Sequence, residues 1–241
     1  MSTHAKLTGK HNYAEFKAET IANRVKKMVD YREGVDVENA HVKFSYGNRK
    51  TGNLVPSVSL IPIADCCSNC ACCAKGCYAV RNICCYDATR KMLANNSAIL
   101  RSDPGKYWRE VEGEVMRNRW FRFHVSGDIV DYSYFVDMVG IAVRNPHCEI
   151  LAFTKNFSVV NEFIDYAGGT EKMPKNLHII FSEWRGLDVP NPHNLPTSRP
   201  VWKGELVPSG IWCGGDCSAC AVKDEGCWSL KNGERILFEA H

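Results

Sequence analysis

Asp65 to Tyr86 reads D-C-C-S-N-C-A-C-C-A-K-G-C-Y-A-V-R-N-I-C-C-Y. Eight of the thirteen cysteines stand in it: Cys66, Cys67, Cys70, Cys72, Cys73, Cys77, Cys84 and Cys85. A β-like run, Val55 to Ile63, leads into the stretch, and a helical run follows it. Thiolates are soft ligands, and several held close together capture iron–sulfur clusters or zinc. The competing account is a disulfide knot or a set of buried free thiols. The odd cysteine count suits a complete disulfide framework poorly. The opening residues M-S-T-H-A-K-L-T-G-K hold no apolar run of the kind a signal peptide needs. A cytoplasmic location is therefore expected, and in a reducing compartment dense cysteine usage points to metal or redox chemistry.

The 241 residues suffice for one sizeable core, or for one domain with an appendage. Hydrophobic content of 45% and charge of 24% are those of an ordinary globular protein. A net charge of +3 neither requires nor excludes a polyanionic partner. No stretch is long and apolar enough to span a bilayer, so no membrane partner is expected.

Outward from the cysteine stretch, Ala14 to Tyr31 predicts a helix with an apolar stripe of Ala18, Ile21, Val25 and Met28. Lys17, Arg24, Lys26 and Lys27 lie largely off that stripe. They read as a solvated face in preference to a nucleic-acid surface, because Glu15, Glu19 and Asp30 dilute the charge. His41 to Tyr46 is a candidate short strand, and Asn48 to Asn53 has turn chemistry. Tyr78 to Leu100 predicts a helix. Asp103-Pro104 reads as a cap and first helical proline for a second helix, Gly105 to Asn118.

The pattern then changes. Strands are predicted at Trp120 to Val125, Cys148 to Phe153 and Leu177 to Phe181, separated by helices at Tyr132 to Arg144 and Ser158 to Ala167. Asn156 is placed to cap the latter helix. Alternation with short loops implies a parallel sheet with crossover helices, whose carboxyl edge is where sites are built. The cysteine loop, Ser126-Gly127-Asp128, Thr154-Lys155 and Ser182-Glu183 would share that edge. Gly186 to Pro200, with its four prolines, reads as a loop, and Val201 to Val207 as a last strand.

Near the carboxyl terminus, Trp212 to Trp228 carries Cys213-x3-Cys217-x2-Cys220-x6-Cys227. Four thiolates in fifteen residues can close a tetrahedral site, and both zinc and a cubane cluster accept four cysteines. Two thiol clusters separated by an α/β body tell against a simple zinc ribbon.

In the first loop, Cys66-x3-Cys70-x2-Cys73 has the spacing of the radical S-adenosylmethionine (SAM) enzymes. Cys66-x3-Cys70-x6-Cys77-Tyr78-Ala79 resembles the phage and mobile-element gene product 88 family. So do K-T-G-N (Lys50 to Asn53), G-C-Y-A (Gly76 to Ala79), R-F-H-V-S-G-D (Arg122 to Asp128), F-T-K-N (Phe153 to Asn156) and the terminal C-x2-C…C-W, in the same order over roughly residues 45 to 230. That family is itself similar to a reduced radical SAM partial barrel. The resemblance implies three loop cysteines holding a [4Fe–4S] cluster whose fourth iron is open to SAM. It also implies a glycine-rich segment after the second strand, here Ser126-Gly127-Asp128, facing the SAM amino group. One departure is that Cys72 precedes Cys73, where radical SAM loops carry an aromatic residue.

The expected architecture is therefore α/β: an N-terminal helical segment (1–40), an incomplete radical SAM-like (β/α) barrel (41–207) with its cluster loop at 65–86, and a C-terminal four-cysteine module (208–241). The expected metal ligands are Cys66, Cys70 and Cys77, with Cys73 an alternate for Cys77, and Cys213, Cys217, Cys220 and Cys227. Ser126, Gly127, Asp128, Thr154 and Lys155 are the expected cofactor-binding residues. The expected cofactors are two [4Fe–4S] clusters and SAM, with zinc the alternative at the C-terminal site. Cys148 and His124 read as core residues, Glu183 as a weaker rim residue, and capping of the next helix as the plain role for Asp128. The implied partners are a substrate of unknown identity and a reductant protein; nucleic acid is compatible with the sequence but not indicated by it. The competing function is a fully ligated iron–sulfur or zinc protein, a redox or nucleic-acid-binding module of a phage or mobile element without catalysis. A phage-encoded chain would act in the host cytoplasm.

Overall fold

The computed structural model describes residues 18–47 and 52–240. Residues 14–17 of the first expected helix, Lys17 among them, and residues 48–51, with Lys50 of the K-T-G-N motif, lie outside these. Seven strands form one sheet: β1 (Ser57–Val58), β2 (Trp120–Phe123), β3 (Glu149–Thr154), β4 (Leu177–Ser182), β5 (Thr197–Val201), β6 (Ile211–Trp212) and β7 (Arg235–Glu239). Their order is β1-β2-β3-β4-β5-β7-β6, and every neighbouring pair is parallel. The first five strands follow chain order without the reversal of a doubly wound sheet.

The helices are α1 (Ala18–Glu33), α2 (Asp87–Ser102), α3 (Pro104–Val115), α4 (Tyr132–Arg144), α5 (Phe157–Ala167) and α6 (Cys217–Lys223). Strand alternation decides which face they cover. Phe121 and Phe123 of β2, Ile150 and Ala152 of β3, and Ile179 and Phe181 of β4 form one buried cluster with Tyr107, Val111 and Val115 of α3, Phe135 and Met138 of α4, and Val160 and Ile164 of α5. Burying each large apolar side chain contributes about 1.5–3 kcal/mol, so this layer supplies most of the cohesion. The other face is covered differently. Leu151 and Ile180 pack there with Ala221, Trp228 and Ile236, and the cysteines of the C-terminal module border that cluster. Among the described residues no helix is long and apolar enough to cross a membrane.

Several expectations change. Helix does not run from Tyr78 to Leu100. The loop is instead wound into 3-10 turns over Ser68–Gly76 and a short π-helical segment at Ala79–Ile83, and α2 starts only at Asp87. Stretches of π-helix recur at functional sites. The first strand shrinks to Ser57–Val58, and His41 to Tyr46 contributes one antiparallel bridge, Ser45 to Ser57. Strand β5 occupies the proline-rich segment read as loop, while 202–207 is not strand. Pro200 is tolerated because β4 pairs only with Thr197 and Ser198; Pro200 lies beyond that ladder and faces only β7. The strands β6 and β7, absent from the sequence reading, join this same sheet.

Candidate metal centre

The carboxyl ends of β1 to β4 converge as the strand pattern requires. The loop after β1 is anchored first by Asp65, which is 1% exposed. Its carboxylate accepts Nε and Nη2 of Arg101 at 3.1 and 2.6 Å and the Ile61 amide at 3.0 Å. Its carbonyl accepts the amide of Asp128 at 3.0 Å. The latch thus ties the start of the thiol loop to the end of β2.

Beyond it, Cys67 Sγ lies 3.7 Å from Cys70 Sγ, and these sulfurs lie 3.7 and 3.4 Å from Asp128 Oδ2. Among the described residues, only Cys67, Cys70 and Asp128 bring three ligand atoms within 4.8 Å of one another. Cys66, Cys67 and Cys73 all interact with the Cys70 thiol and hold its pKa well above the ordinary value, burial adding to the effect. The converse holds for Cys73. Its bond with Cys70, aided by the Lys155 ammonium, outweighs burial and pulls it down to about 6. Burial pushes Cys77 up to about 11 against the amides of Val80 and Ala79, and it feels Cys73 and Cys66. Cys66 Sγ accepts the amide of Ile63 at 3.1 Å, a residue in the left-handed region (φ 72°).

Of the expected loop ligands, the structure thus brings Cys70 together with Cys67 and Asp128; Cys66 and Cys73 interact with the Cys70 thiol, and Cys77 is not in that group. Other thiols stand apart. Cys72 is exposed, with its Sγ 2.9 Å from the Asn69 carbonyl. Cys84 is buried against Met28 of α1, Cys85 is exposed, and Cys148 is a core thiol as expected.

Asp128 does not cap α4; Asp131 does, accepting the amide of Tyr134 at 2.8 Å. Asp128 is instead 4% exposed, and Oδ1 accepts Thr154 Oγ1 at 2.5 Å and the Ile129 amide at 2.7 Å. Oδ2 accepts the Lys155 amide at 2.9 Å and otherwise faces the thiols. Asn156 sits at the cap position of α5, but its amide nitrogen binds the Ile129 carbonyl at 2.9 Å and no side-chain cap forms. Ser126 turns inward: its Oγ donates to the Leu60 carbonyl at 3.0 Å. Gly127 is needed because φ is +87° and a Cβ would lie 2.8 Å from Leu60 Cβ, so its smallness serves the strand contact. The Lys155 ammonium donates to Ser182 Oγ at 2.9 Å and lies over the Trp184 ring at 5.8 Å. Burial works to lower its pKa, yet Cys73, Cys70 and Asp128 raise it overall. Glu183 is engaged elsewhere, with Arg235 Nε at 2.9 Å. His124 is buried as expected, its Nε2 at 2.9 Å from Tyr134 Oη, and burial drives its pKa down to about 3.

Sequence reading missed two residues. Arg122 projects from the sheet face opposite the helices and places Nη1 3.7 Å from Cys217 Sγ. Tyr78, next to Cys77, donates its hydroxyl to the Val125 carbonyl and is pushed up to about 12 by burial. A charged residue alternating with Phe121 and Phe123, on the same strand face as Trp120, was the available signal for Arg122. In the C-terminal module, Asp216 caps α6 by accepting the Ser218 and Ala219 amides at 2.9 and 3.1 Å, and Trp228 Nε1 donates to the Cys217 carbonyl at 3.1 Å. Burial and the charges of Cys213, Cys217 and Cys220 raise Cys227. The donor set fits a thiolate-bound metal: soft sulfurs, two nearby cations, and protons that metal binding would release.

The Gene product 88 family matches over residues 39–189. The chain belongs to that family. The match holds the thiol loop, Arg122, Asp128 and Lys155, and it ends before the four-cysteine module, so residues 190–230 of the wider resemblance stand outside it. No curated protein and no solved structure matches the chain.

Proposed function

We propose that this Gene product 88 protein is a two-cluster iron–sulfur protein of radical SAM type, built on a partial (β/α) barrel. The observation that carries the reading is one of placement. The thiol loop leaves the carboxyl end of the first strand of a sequentially ordered parallel sheet, and the next strand ends bring Asp128, Lys155 and Ser182 to it. Cys66, Cys70 and either Cys73 or Cys77 would hold the first cluster; Cys213, Cys217, Cys220 and Cys227 would hold an auxiliary one. A [4Fe–4S] cluster with one iron free of cysteine supplies a binding position for the amino and carboxylate groups of SAM and an electron to reduce it. The Lys155 ammonium has three N–H donors, one of them engaged with Ser182, which leaves donors for a carboxylate. Asp128 Oδ2 is the acceptor offered to an amino group.

A second reading is favoured by one observation. Two sulfurs at 2.3 Å and one oxygen at about 2.0 Å from a single tetrahedral ion lie roughly 3.5–3.8 Å apart. Cys67, Cys70 and Asp128 are separated by 3.7, 3.7 and 3.4 Å. In that reading Asp128 is itself a ligand, a fourth ligand from a neighbouring loop thiol would close the site, and the chain is a binding or redox module. EPR of dithionite-reduced protein with and without SAM decides between them. The first reading expects one cluster signal to change on adding SAM, and Asp128→Asn to weaken SAM binding about tenfold or more, the loss of one charge-assisted hydrogen bond. An intact cluster indifferent to SAM would overturn it, and a single thiolate-bound ion in place of the loop cluster would establish the second.

A further inference from the structure

The C-terminal thiols border the sheet face opposite the helices, and Arg122 reaches them from β2. Its guanidinium reaches Cys217 Sγ at 3.7 Å and lies over the Phe153 ring at 5.0 Å. Its Nε–H is buried and has no hydrogen-bond partner, and among the described residues no carboxylate forms an ion pair with it. A partly buried guanidinium without a carboxylate is costly unless nearby groups carry negative charge. The groups present are thiols. Its charge is felt by Cys227 and by Tyr78, and Tyr78 in turn feels Cys77 of the first loop and Cys217 of the second. Four cysteines become a compensating anion once they bind metal as thiolates.

We propose that Arg122 is the counter-charge of the C-terminal four-cysteine centre and sets its reduction potential. The inference rests on the two-cluster reading above. Adding one electron, supplied externally by a reductant such as dithionite, makes the cluster more negative by one charge. A guanidinium donating an N–H to a ligand sulfur favours that reduced state, since charge and hydrogen bonds at the sulfurs set cluster potentials. The loop cluster has Lys155 for the same purpose, so the two centres would be tuned by different cations. Arg122 is a positioning residue here; it touches a ligand of the metal and no substrate.

The test is a dye-mediated potentiometric EPR titration of the full chain, wild type against Arg122→Gln and Arg122→Lys, with iron and acid-labile sulfide measured on each. Cys70→Ser assigns which signal belongs to the loop. Arg122→Gln is expected to make reduction of the C-terminal cluster about tenfold less favourable, 59 mV lower for one electron, with a smaller change at the loop cluster. Arg122→Lys, which keeps the charge and loses the planar fork, should recover part of the shift. Should Arg122→Gln purify without its second cluster, the Lys variant decides: a potential at or above wild type overturns the assignment, and one below wild type supports it. Two intact clusters with an unmoved C-terminal potential in Arg122→Gln overturn the inference and leave the two-cluster reading standing. Zinc in place of the second cluster overturns that reading, and the inference with it.

Discussion

Replacing Asp128 by alanine tests whether this carboxylate organises the rim. In the folded chain it accepts the Thr154 hydroxyl at 2.5 Å and the amides of Ile129 and Lys155 at 2.7 and 2.9 Å, besides the two weakly donating thiols of Cys67 and Cys70. The hydroxyl can rotate to another acceptor, but the two amides cannot. Each buried donor left unsatisfied costs about 1–3 kcal/mol, so Asp128→Ala should destabilise the metal-free chain by about 2–6 kcal/mol. For a chain of this size that is a fall in melting temperature of roughly 2–4 °C per kcal/mol, on the order of 10 °C in total. Asp128→Asn keeps one oxygen acceptor and should cost about 1–2 kcal/mol. Thermal and urea denaturation of chelator-treated protein measure both. An alanine variant within about 1 kcal/mol of wild type would show that these hydrogen bonds do not hold the carboxylate in place, and the geometry argued for the rim would be wrong.

Three further outcomes follow from the same structure. Asp65→Ala removes the buried acceptor of Arg101 and of the Ile61 amide; because Arg101 is half exposed, the loss should be about 2–3 kcal/mol, read by urea denaturation, with a drop in loop metal content. Gly127→Ala places a Cβ against Leu60 at a positive φ and should destabilise by about 1–3 kcal/mol, visible in thermal melts without any cofactor added. His124 has its folded pKa depressed to about 3, so the unfolded chain binds the extra proton between that value and 6.5. Stability is then fully present above about pH 6.5 and falls with acid by about 1.4 kcal/mol per pH unit, a slope that His124→Gln should remove in denaturant titrations of metal-free protein.

Much of this arrangement was legible in the residues. Alternation in W-F-R-F-H-V and L-H-I-I-F marks strands buried on a helix-covered face, and the polar triplets behind them mark the rim. The rim then assembles because parallel strands in sequential order must end on the same side. What stayed hidden depends on tertiary context. Pro200 disguised β5, since only the extent of the β4 ladder makes a proline tolerable there. R-I-L-F-E is too short to stand out as β7, and it is stabilised by partners on both sides that lie far away in sequence. Asp128 looked like a helix cap because nothing local distinguishes it from Asp131, which does the capping. Cys67 was indistinguishable from its neighbours until the winding of the 3-10 segment turned its sulfur toward Asp128. Arg122 read as one more strand residue because the sulfur it reaches, Cys217, lies ninety-five positions away.

Two thiol centres on one parallel sheet are proposed to bind iron–sulfur clusters. Iron, zinc and acid-labile sulfide content of anaerobically purified protein tests this most directly, with Cys70→Ser and Cys227→Ser beside the wild type. The expected protein is brown, with about eight iron and eight sulfide per chain, as two cubanes require, and about half of each in either variant. A colourless protein carrying zinc and no sulfide would contradict the proposal.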